Sequence, residues 1–230
     1  MTHDGSLTPE QLARRQLLTA ATQLQTSGLN SGTAGNLSLR IPGGLLITPS
    51  SLPTDRMGPE DLVAIDLQGQ PLPPAREGLR APSSEWRLHA DLLRQRPEIG
   101  AVVHCHSIHA TALACHGRGI PPFHYMVVQA GGPDIRCASY ATFGSQALSD
   151  LAAEALDGRM ACLLAHHGQV TLGATLEQAQ ALAIEVECLA QMYLTALQVG
   201  EPPLLTHAEM GRVAEQMRLR HYGALNAGPS

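Results

Sequence analysis

The sequence predicts a single α/β domain with a mixed or antiparallel sheet and helices packed on both of its faces. The chain has 230 residues, of which 44% are apolar, and this is enough to fill one large core. Segments with strand and helix patterns alternate along the chain. A tight hairpin around Pro42, Gly43 and Gly44 requires antiparallel pairing of its two strands.

The first elements have clear local signals. Thr8, Pro9 and Gln11 form a capping-box start, and apolar residues at helical spacing continue until Gly28, which predicts a first helix. The segment "LSLRIPGGLLIT" (37–48) is typical of two strands joined by a turn.

A third strand is predicted at "DLVAIDL" (61–67), followed by a stretch rich in Pro and Gly at 71–82. We interpret that stretch as an ordered surface loop, because the hydrophobic pattern resumes directly after it. A helix is expected next, with Ser83 or Ser84 as its N-cap and its end before Pro97.

The second half of the chain repeats the alternation of strands and helices. Its expected extended segments are "GAVVHCH", "FHYMVVQ", "DIRCASYA", "MACLLAHH" and "QVTLG". Its expected helices are "SIHATALACHG", "SQALSDLAAEAL", residues 175–198 and "THAEMGRVAEQMRLRHYG". The domain is expected to span residues 1–230, with flexible termini at 1–7 and 224–230.

Composition excludes several classes of protein. The net charge is −5 and no run of Lys or Arg occurs, so a nucleic acid is not expected as a partner. No apolar stretch reaches the roughly 18 residues that span a bilayer, and the first residues do not form a secretory signal. Five scattered cysteines, without a C-x-x-C pair, fit reduced thiols. A cytoplasmic protein is therefore expected.

Two histidines interrupt the apolar strand "GAVVHCH". Side chains alternate along a strand, so His104 and His106 project to one face about 6.6 Å apart at the Cα level, with Cys105 on the other face. This spacing suits two ligands of one metal ion, and a hydrogen-bonded pair in the core is the alternative. His109 is expected on the following helix, with its ring bonded to a backbone carbonyl.

A further histidine pair, His166 and His167, ends the strand "MACLLAHH" before Gly168. Three imidazole ligands would leave one coordination position of a zinc ion open, as in a catalytic zinc site. The spacing does not show whether His166 or His167 is the third ligand. Acid–base chemistry also needs a carboxylate, and Glu85 is a candidate. It lies in "PSSE", at the start of a predicted helix whose free N–H groups can bind an anion. The alternative is that Glu85 only complements the helix dipole. "GTAGN" (32–36) is a second loop that a phosphate can approach.

Other chemistries lack their motifs. The sequence has no G-x-S-x-G, H-E-x-x-H, P-loop or G-x-G-x-x-G, which argues against serine hydrolases, zincins, nucleotide hydrolases and dinucleotide enzymes.

Eight ordered motifs, from about Gln11 to Tyr222, resemble the class II aldolase/adducin family. They are "GTAGNLSLR", "LLITPSS", "PSSEWRLH", "AVVHCHSIHATAL", "FHYMVVQAGG", "CASYATFG", "LLAHHG" and "EVECLAQMYL". The resemblance implies a three-layer αβα domain with a mainly antiparallel, mixed sheet. It also implies a cyclic homotetramer with active sites at its subunit interfaces.

The resemblance assigns roles to residues of this chain. Zinc, or alternatively Mn²⁺ or Co²⁺, would be held by His104, His106 and His167, with Glu85 as a further ligand of the empty site and as the acid/base. Tyr125 would reach the active site of a neighbouring subunit, and Tyr222 would close over the site. The implied phosphate contacts are Gly35, Asn36, Ser50, Ser51, Ser83 and Ser84.

The implied reaction is reversible cleavage of a ketose 1-phosphate, such as L-fuculose 1-phosphate or a 5-deoxypentulose 1-phosphate, to dihydroxyacetone phosphate and a small aldehyde. The chain has no lysine, which agrees with a metal instead of a Schiff base. Ser51 stands where the family usually has Gly, and the loop at 71–82 is long, so the pocket is expected to differ there in shape. Alternatives are a pentulose-phosphate 4-epimerase, a methylthioribulose-phosphate dehydratase, a keto-acid phosphate decarboxylase and a non-catalytic adducin-like scaffold.

Overall fold

A seven-stranded mixed sheet forms the centre of the protein in a computed structural model that describes residues 7–73, 78 and 80–220. The strands are β1 (Asn36–Ile41), β2 (Gly44–Ile47), β3 (Val63–Ile65), β4 (Ala101–Cys105), β5 (Arg136–Ala138), β6 (Ala161–Leu164) and β7 (Gly168–Gly173). Their order across the sheet is β3-β2-β1-β4-β7-β6-β5, and only the β5–β6 pair is parallel. The predicted mixed, mainly antiparallel sheet is confirmed.

Helices cover both faces of this sheet. They are α1 (Pro9–Thr26), α2 (Trp86–Gln95), α3 (Ile108–Cys115), α4 (Gln146–Ala155), α5 (Leu176–Leu197) and α6 (His207–Leu219). Helices α2 and α4 pack their buried leucines and alanines on one face, and α1, α3 and α5 pack on the other. The result is the expected three-layer αβα arrangement.

The start of α1 and the turn between β1 and β2 are determined by residues close together in the sequence. The hydroxyl of Thr8 accepts a hydrogen bond from the Gln11 main-chain N–H at 3.2 Å, and the Gln11 side chain bonds back to Thr8, so the predicted capping box is confirmed. Pro42 and Gly43 make the turn between β1 and β2. Gly43 has φ +83°, the left-handed conformation that glycine adopts without strain.

Strand β4 lies in the middle of the sheet and pairs antiparallel with both β1 and β7. Its alternation sends Ala101, Val103 and Cys105 into the core beneath α1 and α5, and Val102 into the core beneath α2. His104 shares the parity of Val102, so it lies on the side of the sheet where α2 begins. The last residues of β4 therefore meet the first residues of β1 and α2.

Two local expectations are wrong. The segment "FHYMVVQ" is not extended, because residues Tyr125–Ala130 form a 3₁₀ helix that buries Val127. A short apolar run without periodicity does not distinguish these two states. The N-cap of α2 is Glu85 and not a serine; Ser83 Oγ instead accepts a hydrogen bond from the Glu85 N–H at 3.3 Å.

Two expectations concern segments that the structure describes only in part. Of the loop 71–82, residues 74–77 and 79 lie outside the described residues, and Pro71 and Pro82 form isolated bridges to Ile65 and Pro49. The expected flexible ends at 1–7 and 224–230 also lie outside them, apart from residue 7.

Candidate functional site

Three imidazole rings converge at the end of β4. Their centroids lie 4.7–4.9 Å apart in edge-to-face pairs among His104, His106 and His167. One nitrogen of each ring lies within 4.8 Å of the others, and the Nε2 atoms of His104 and His106 are 3.0 Å apart. Two ligands of one tetrahedral zinc ion lie roughly 3.4 Å apart, so this cluster has the dimensions of a metal site.

Main-chain and side-chain partners fix the orientation of these rings. The Nδ1 atom of His104 lies 2.8 Å from the Gln169 carbonyl oxygen, which can only accept, so Nδ1 donates and Nε2 faces the cluster. The main-chain N–H of His106 donates to Asn30 Oδ1 at 3.0 Å. The ring of the first ligand and the backbone of the second are therefore held in place.

The turn between β6 and β7 supplies the third imidazole. His167 points to the cluster, whereas His166 has φ +56° and its ring packs at 6.0 Å against that of Tyr140. A side chain at Gly168 would collide with the Cys105 carbonyl and with the His106 ring, so a glycine is needed there. This close approach brings the turn against the end of β4.

Glu85 lies at the start of α2 and is almost fully buried against the cluster. Its Oε2 atom accepts a hydrogen bond from Asn36 Nδ2 at 2.9 Å and is 3.3 Å from His104 Nε2. Its Oε1 atom is 3.5 Å from His167 Nε2 and has no hydrogen-bond partner. A buried carboxylate oxygen without a partner, aimed at three imidazoles, is what a cation would satisfy.

The charges in this cluster are coupled. Burial opposes ionisation of Glu85, but His104, His167 and the Asn36 amide outweigh it and hold the pKa of this carboxyl well below its usual range. Burial also opposes protonation of His104, yet the adjacent carboxylate raises its pKa. Burial, together with the charge of His104, lowers the pKa of His106 and of His167 to about 4. Two of the three rings are thus neutral at pH 7, the state that binds metal ions.

These residues fit a divalent metal ion. Three imidazole nitrogens and one carboxylate form a donor set typical of zinc, and the accessible side of the cluster leaves room for a substrate. The ligands would be His104, His106 and His167, with Glu85 as a fourth. A His₃ set also accepts Mn²⁺ or Co²⁺.

Serine-rich segments form the wall beside the metal ligands. The segment after β2 pairs with the segment before α2, through hydrogen bonds from Ser50 N to the Ala81 carbonyl and from Ser83 N to the Thr48 carbonyl, both 3.0 Å long. The pairing brings the four serines to one cavity of about 340 Å³, which the start of β1 also lines, so all six predicted phosphate contacts lie on it. They are Gly35, Asn36, Ser50, Ser51, Ser83 and Ser84.

Two of these residues have particular conformations. Ser51 has φ +57°, the left-handed region in which the expected glycine would be unstrained. The side chain of Asn36 is hydrogen-bonded through both of its polar atoms, because its Nδ2 donates to Glu85 and its Oδ1 accepts from His89 Nε2. A phosphate contact from Asn36 would therefore use its second side-chain N–H or its main chain.

Aromatic side chains also line this cavity. Tyr140 and Phe143 follow β5 and are mostly exposed, and His166 lies beside Tyr140. The cavity is thus lined both by serine hydroxyls and by an aromatic wall formed by Tyr140 and Phe143.

Of the described residues with a predicted role, Tyr125 and His109 do not line this cavity. Tyr125 begins the 3₁₀ helix, is 46% exposed and lies beside α6. Tyr222 lies outside the described residues. His109 lies on α3 as expected, but its ring contacts the Glu187 carboxylate at 2.7 Å and not a backbone carbonyl, because Glu187 occupies the N-terminus of that helix.

Sequence reasoning missed the residues that support the site. His89 is fully buried and bonded to Ser38 and Asn36, and Asn30 holds the His106 backbone. One signal was present: His89 follows Glu85 by four residues, so both lie on one face of a helix.

Comparison with known proteins gives concordant results. Residues 15–194 match the model of the "Class II Aldolase and Adducin N-terminal domain". A 5-methylthioribulose-1-phosphate/5-deoxyribulose-1-phosphate aldolase of Rhodospirillum rubrum is 54% identical over 89% of this chain and 90% of its own length. An L-fuculose phosphate aldolase of Escherichia coli strain K12 is 44% identical over 89% and 93%.

A solved structure of an L-fuculose 1-phosphate aldolase superposes with a TM-score of 0.85 at 36% identity, and covers 92% of this chain and 98% of the other. Among the residues that the structure describes, no helix has both the length and the apolar character needed to cross a bilayer.

Proposed function

The chain belongs to the class II aldolase and adducin family, and from this premise we propose that it is a zinc-dependent aldolase acting on a ketose 1-phosphate. The products would be dihydroxyacetone phosphate and a small aldehyde. The observation that carries this proposal is the convergence of three imidazoles and the partnerless Glu85 Oε1 beside a serine-lined cavity. A catalytic centre and an anion-binding wall lie side by side, as a phosphorylated sugar requires.

A divalent cation held by His104, His106 and His167, with Glu85 as a further ligand only while the site is empty of substrate, would draw electron density from the substrate carbonyl. This would stabilise the charge left by C3–C4 cleavage by several kcal/mol. The serines and Gly35 would bind the phosphate through hydroxyls and main-chain N–H groups.

Glu85 is the group suited to move the proton at C3. Its carboxyl is ionised at neutral pH and buried, and one of its oxygens has no hydrogen-bond partner. In the condensation direction the carboxylate would take the proton from C3 and become a carboxylic acid. In the cleavage direction that acid form would return the proton to C3 after the C3–C4 bond breaks, and the carboxylate would be ionised again.

Tyr125 would handle the proton on the aldehyde oxygen, and Tyr222 would close over the site. Because Tyr125 is exposed and lies outside the cavity of its own chain, this role requires a neighbouring subunit. We therefore propose a homotetramer with active sites between subunits. All five cysteines are free thiols, which supports a cytoplasmic protein.

The relatives narrow the sugar to two kinds. One aldolase named for 5-methylthioribulose 1-phosphate and 5-deoxyribulose 1-phosphate is 54% identical in sequence to this chain. The L-fuculose phosphate aldolase of Escherichia coli strain K12 is 44% identical. The aromatic wall at Tyr140 and Phe143 suits an aldehyde with a methyl or methylthio end. We propose a 5-deoxypentulose 1-phosphate type of substrate first, and L-fuculose 1-phosphate second.

Other reactions on the same fold are less well supported. The relatives named above are aldolases, not epimerases, dehydratases or decarboxylases. A scaffold without catalysis would not need to keep three convergent imidazoles and a buried carboxylate.

The direct test incubates zinc-loaded protein with dihydroxyacetone phosphate and, separately, acetaldehyde, methylthioacetaldehyde and lactaldehyde. We expect a phosphorylated condensation product with at least one of them, seen by mass spectrometry, and none after treatment with a chelator. Absence of product with every aldehyde would contradict the aldolase proposal. Turnover of a pentulose 5-phosphate epimer instead would favour the epimerase.

A further inference from the structure

A chain of buried polar side chains runs from the centre of the sheet to Glu85. Ser38 Oγ lies 2.8 Å from His89 Nδ1, His89 Nε2 is hydrogen-bonded to Asn36 Oδ1, and Asn36 Nδ2 is 2.9 Å from Glu85 Oε2. Ser38 and His89 are fully buried, and Asn36 and Glu85 nearly so. Neither Ser38 nor His89 lines the substrate cavity.

The chemistry of the groups fixes the direction of every hydrogen bond. Asn36 Nδ2 lies 2.9 Å from Glu85 Oε2, and an amide nitrogen can only donate, so the Asn36 amide donates to the carboxylate oxygen. The Asn36 oxygen then faces His89 and can only accept, so His89 carries its proton on Nε2. Burial lowers the pKa of His89 to about 3, so the ring is neutral and its Nδ1 accepts from the Ser38 hydroxyl. All three donors point toward Glu85.

This direction matters because an amide can rotate by half a turn. A rotated Asn36 would place its oxygen against the carboxylate and its NH₂ against the His89 N–H, and both contacts would be repulsive. Hydrogen bonds aligned in one direction also strengthen each other. His89 therefore holds Asn36 in the only orientation that binds Glu85.

The two oxygens of Glu85 have different surroundings as a result. Oε2 is held by Asn36, whereas Oε1 faces His167 at 3.5 Å without a hydrogen-bond partner. We propose that Ser38 and His89 are positioning residues that act through Asn36 to fix the rotation of the Glu85 carboxylate, which leaves Oε1 as the oxygen that exchanges the substrate proton. This inference rests on the proposed function.

The test isolates the proton transfer. Zinc-loaded protein is incubated in D₂O with dihydroxyacetone phosphate alone, and exchange of its hydroxymethyl protons is followed by NMR. We expect His89→Leu to lower kcat for exchange about 10- to 100-fold, the usual effect of losing an outer hydrogen-bond partner, with KM and zinc content unchanged. His89→Gln retains one donor and one acceptor, so it should recover most of that loss.

A pair of serine variants provides a control that is less disruptive to folding. Ser38→Ala removes the hydroxyl bonded to His89, and Ser149→Ala removes an equally buried hydroxyl bonded to Asp91, two residues further along α2. Only Ser38→Ala should reduce kcat for exchange. Wild-type exchange rates in Ser38→Ala and His89→Leu, or an equal loss in Ser149→Ala, would overturn the inference and leave the aldolase proposal standing.

A second measurement separates the two proposals. Long-range ¹H–¹⁵N NMR assigns the tautomer of His89, with His89→Gln identifying its signals. We expect a neutral ring protonated at Nε2; protonation at Nδ1 would overturn the inference even in an active enzyme. If the wild-type protein exchanges no proton, the proposed function fails, and the NMR result alone then decides whether the hydrogen-bonded chain exists as described.

Discussion

His166 and His167 are adjacent in the sequence but face in different directions. His167 Nε2 is 3.5 Å from Glu85 Oε1 inside the cluster, whereas the exposed His166 ring packs on Tyr140. The left-handed backbone at His166, with φ +56°, produces this separation within a three-residue turn. Because the proposed metal site uses only one of these two neighbouring histidines, they provide a matched pair of variants.

His167→Asn should lower zinc affinity by more than about 100-fold, since it removes one of three imidazole ligands. His166→Asn should leave zinc binding unchanged, and asparagine tolerates the left-handed conformation well. Zinc content after dialysis, measured by elemental analysis, tests both. Loss of zinc in the His166 variant would contradict the assignment of His167.

Glu85→Gln should retain zinc and lose aldol cleavage by about 10²- to 10⁴-fold, because the amide cannot exchange the substrate proton. Glu187→Gln is the matched control, since Glu187 is a second shielded carboxylate and bonds to the N-terminus of α3. It should reduce thermal stability but not kcat. Cleavage assays and thermal unfolding of both variants measure these effects, and full activity in Glu85→Gln would remove this residue from the mechanism.

Ser51→Gly should stabilise the protein by about 1 kcal/mol, because φ +57° strains any residue with a Cβ atom. For a chain of this size that corresponds to a rise in Tm of roughly 2–4 °C. Ser50→Gly should instead lower the Tm, because the Ser50 backbone is not left-handed and glycine there only increases the entropy of the unfolded state. Calorimetry measures the Tm of both variants. A lower Tm for Ser51→Gly would show that the Ser51 hydroxyl stabilises the folded protein by more than the backbone strain at this residue destabilises it.

Acid should destabilise the wild-type protein more than His89→Gln. The unfolded His89 ring has a pKa of 6.5 and the folded one about 3, so below pH 6.5 the unfolded state takes up a proton that the folded state does not. Stability from this residue is therefore complete above pH 6.5 and declines as the pH falls, by about 2 kcal/mol between pH 7 and pH 5. Urea unfolding of the metal-free proteins at both pH values, at one protein concentration, measures the difference.

Tyr125→Phe should be nearly inactive in cleavage, as should Glu85→Gln, but a mixture of the two should regain activity. If each site combines Glu85 of one subunit with Tyr125 of another, random hybrid tetramers restore roughly one quarter of the sites. The mixture is unfolded and refolded together, then assayed against each variant treated alone. No recovery, in tetramers shown to be hybrid, would place Tyr125 outside the site.

Local signals predicted most of the fold. The Thr8 capping box and the Pro42–Gly43 turn depend on residues a few positions apart, and the structure has both. The 3₁₀ helix that begins at Tyr125 was not predicted, because the apolar residues of this segment are also compatible with a strand. Glu85 replaced the serines as N-cap because Ser83 instead lies in the pairing with Thr48.

The site was predictable where its chemistry repeats at short spacing, and not where distant segments meet. His104 and His106 alternate on one strand, so their shared face followed from the sequence. The partners of His89 lie 51 and 53 positions away, and a periodic pattern contains no information about such contacts. The choice between His166 and His167 depends on a backbone conformation that alternation does not describe.

The order of the proposed metal ligands along the chain affects the stage of synthesis at which a metal ion can bind. Glu85, His104 and His106 are translated well before His167, which lies in the turn between the sixth and seventh strands. Because β7 is also the strand that pairs with β4 and whose Gln169 carbonyl binds the His104 ring, a nascent polypeptide lacks both the last ligand and the support of the first. Under the proposed function, a metal ion would therefore bind late in biogenesis, after most of the polypeptide has left the ribosome.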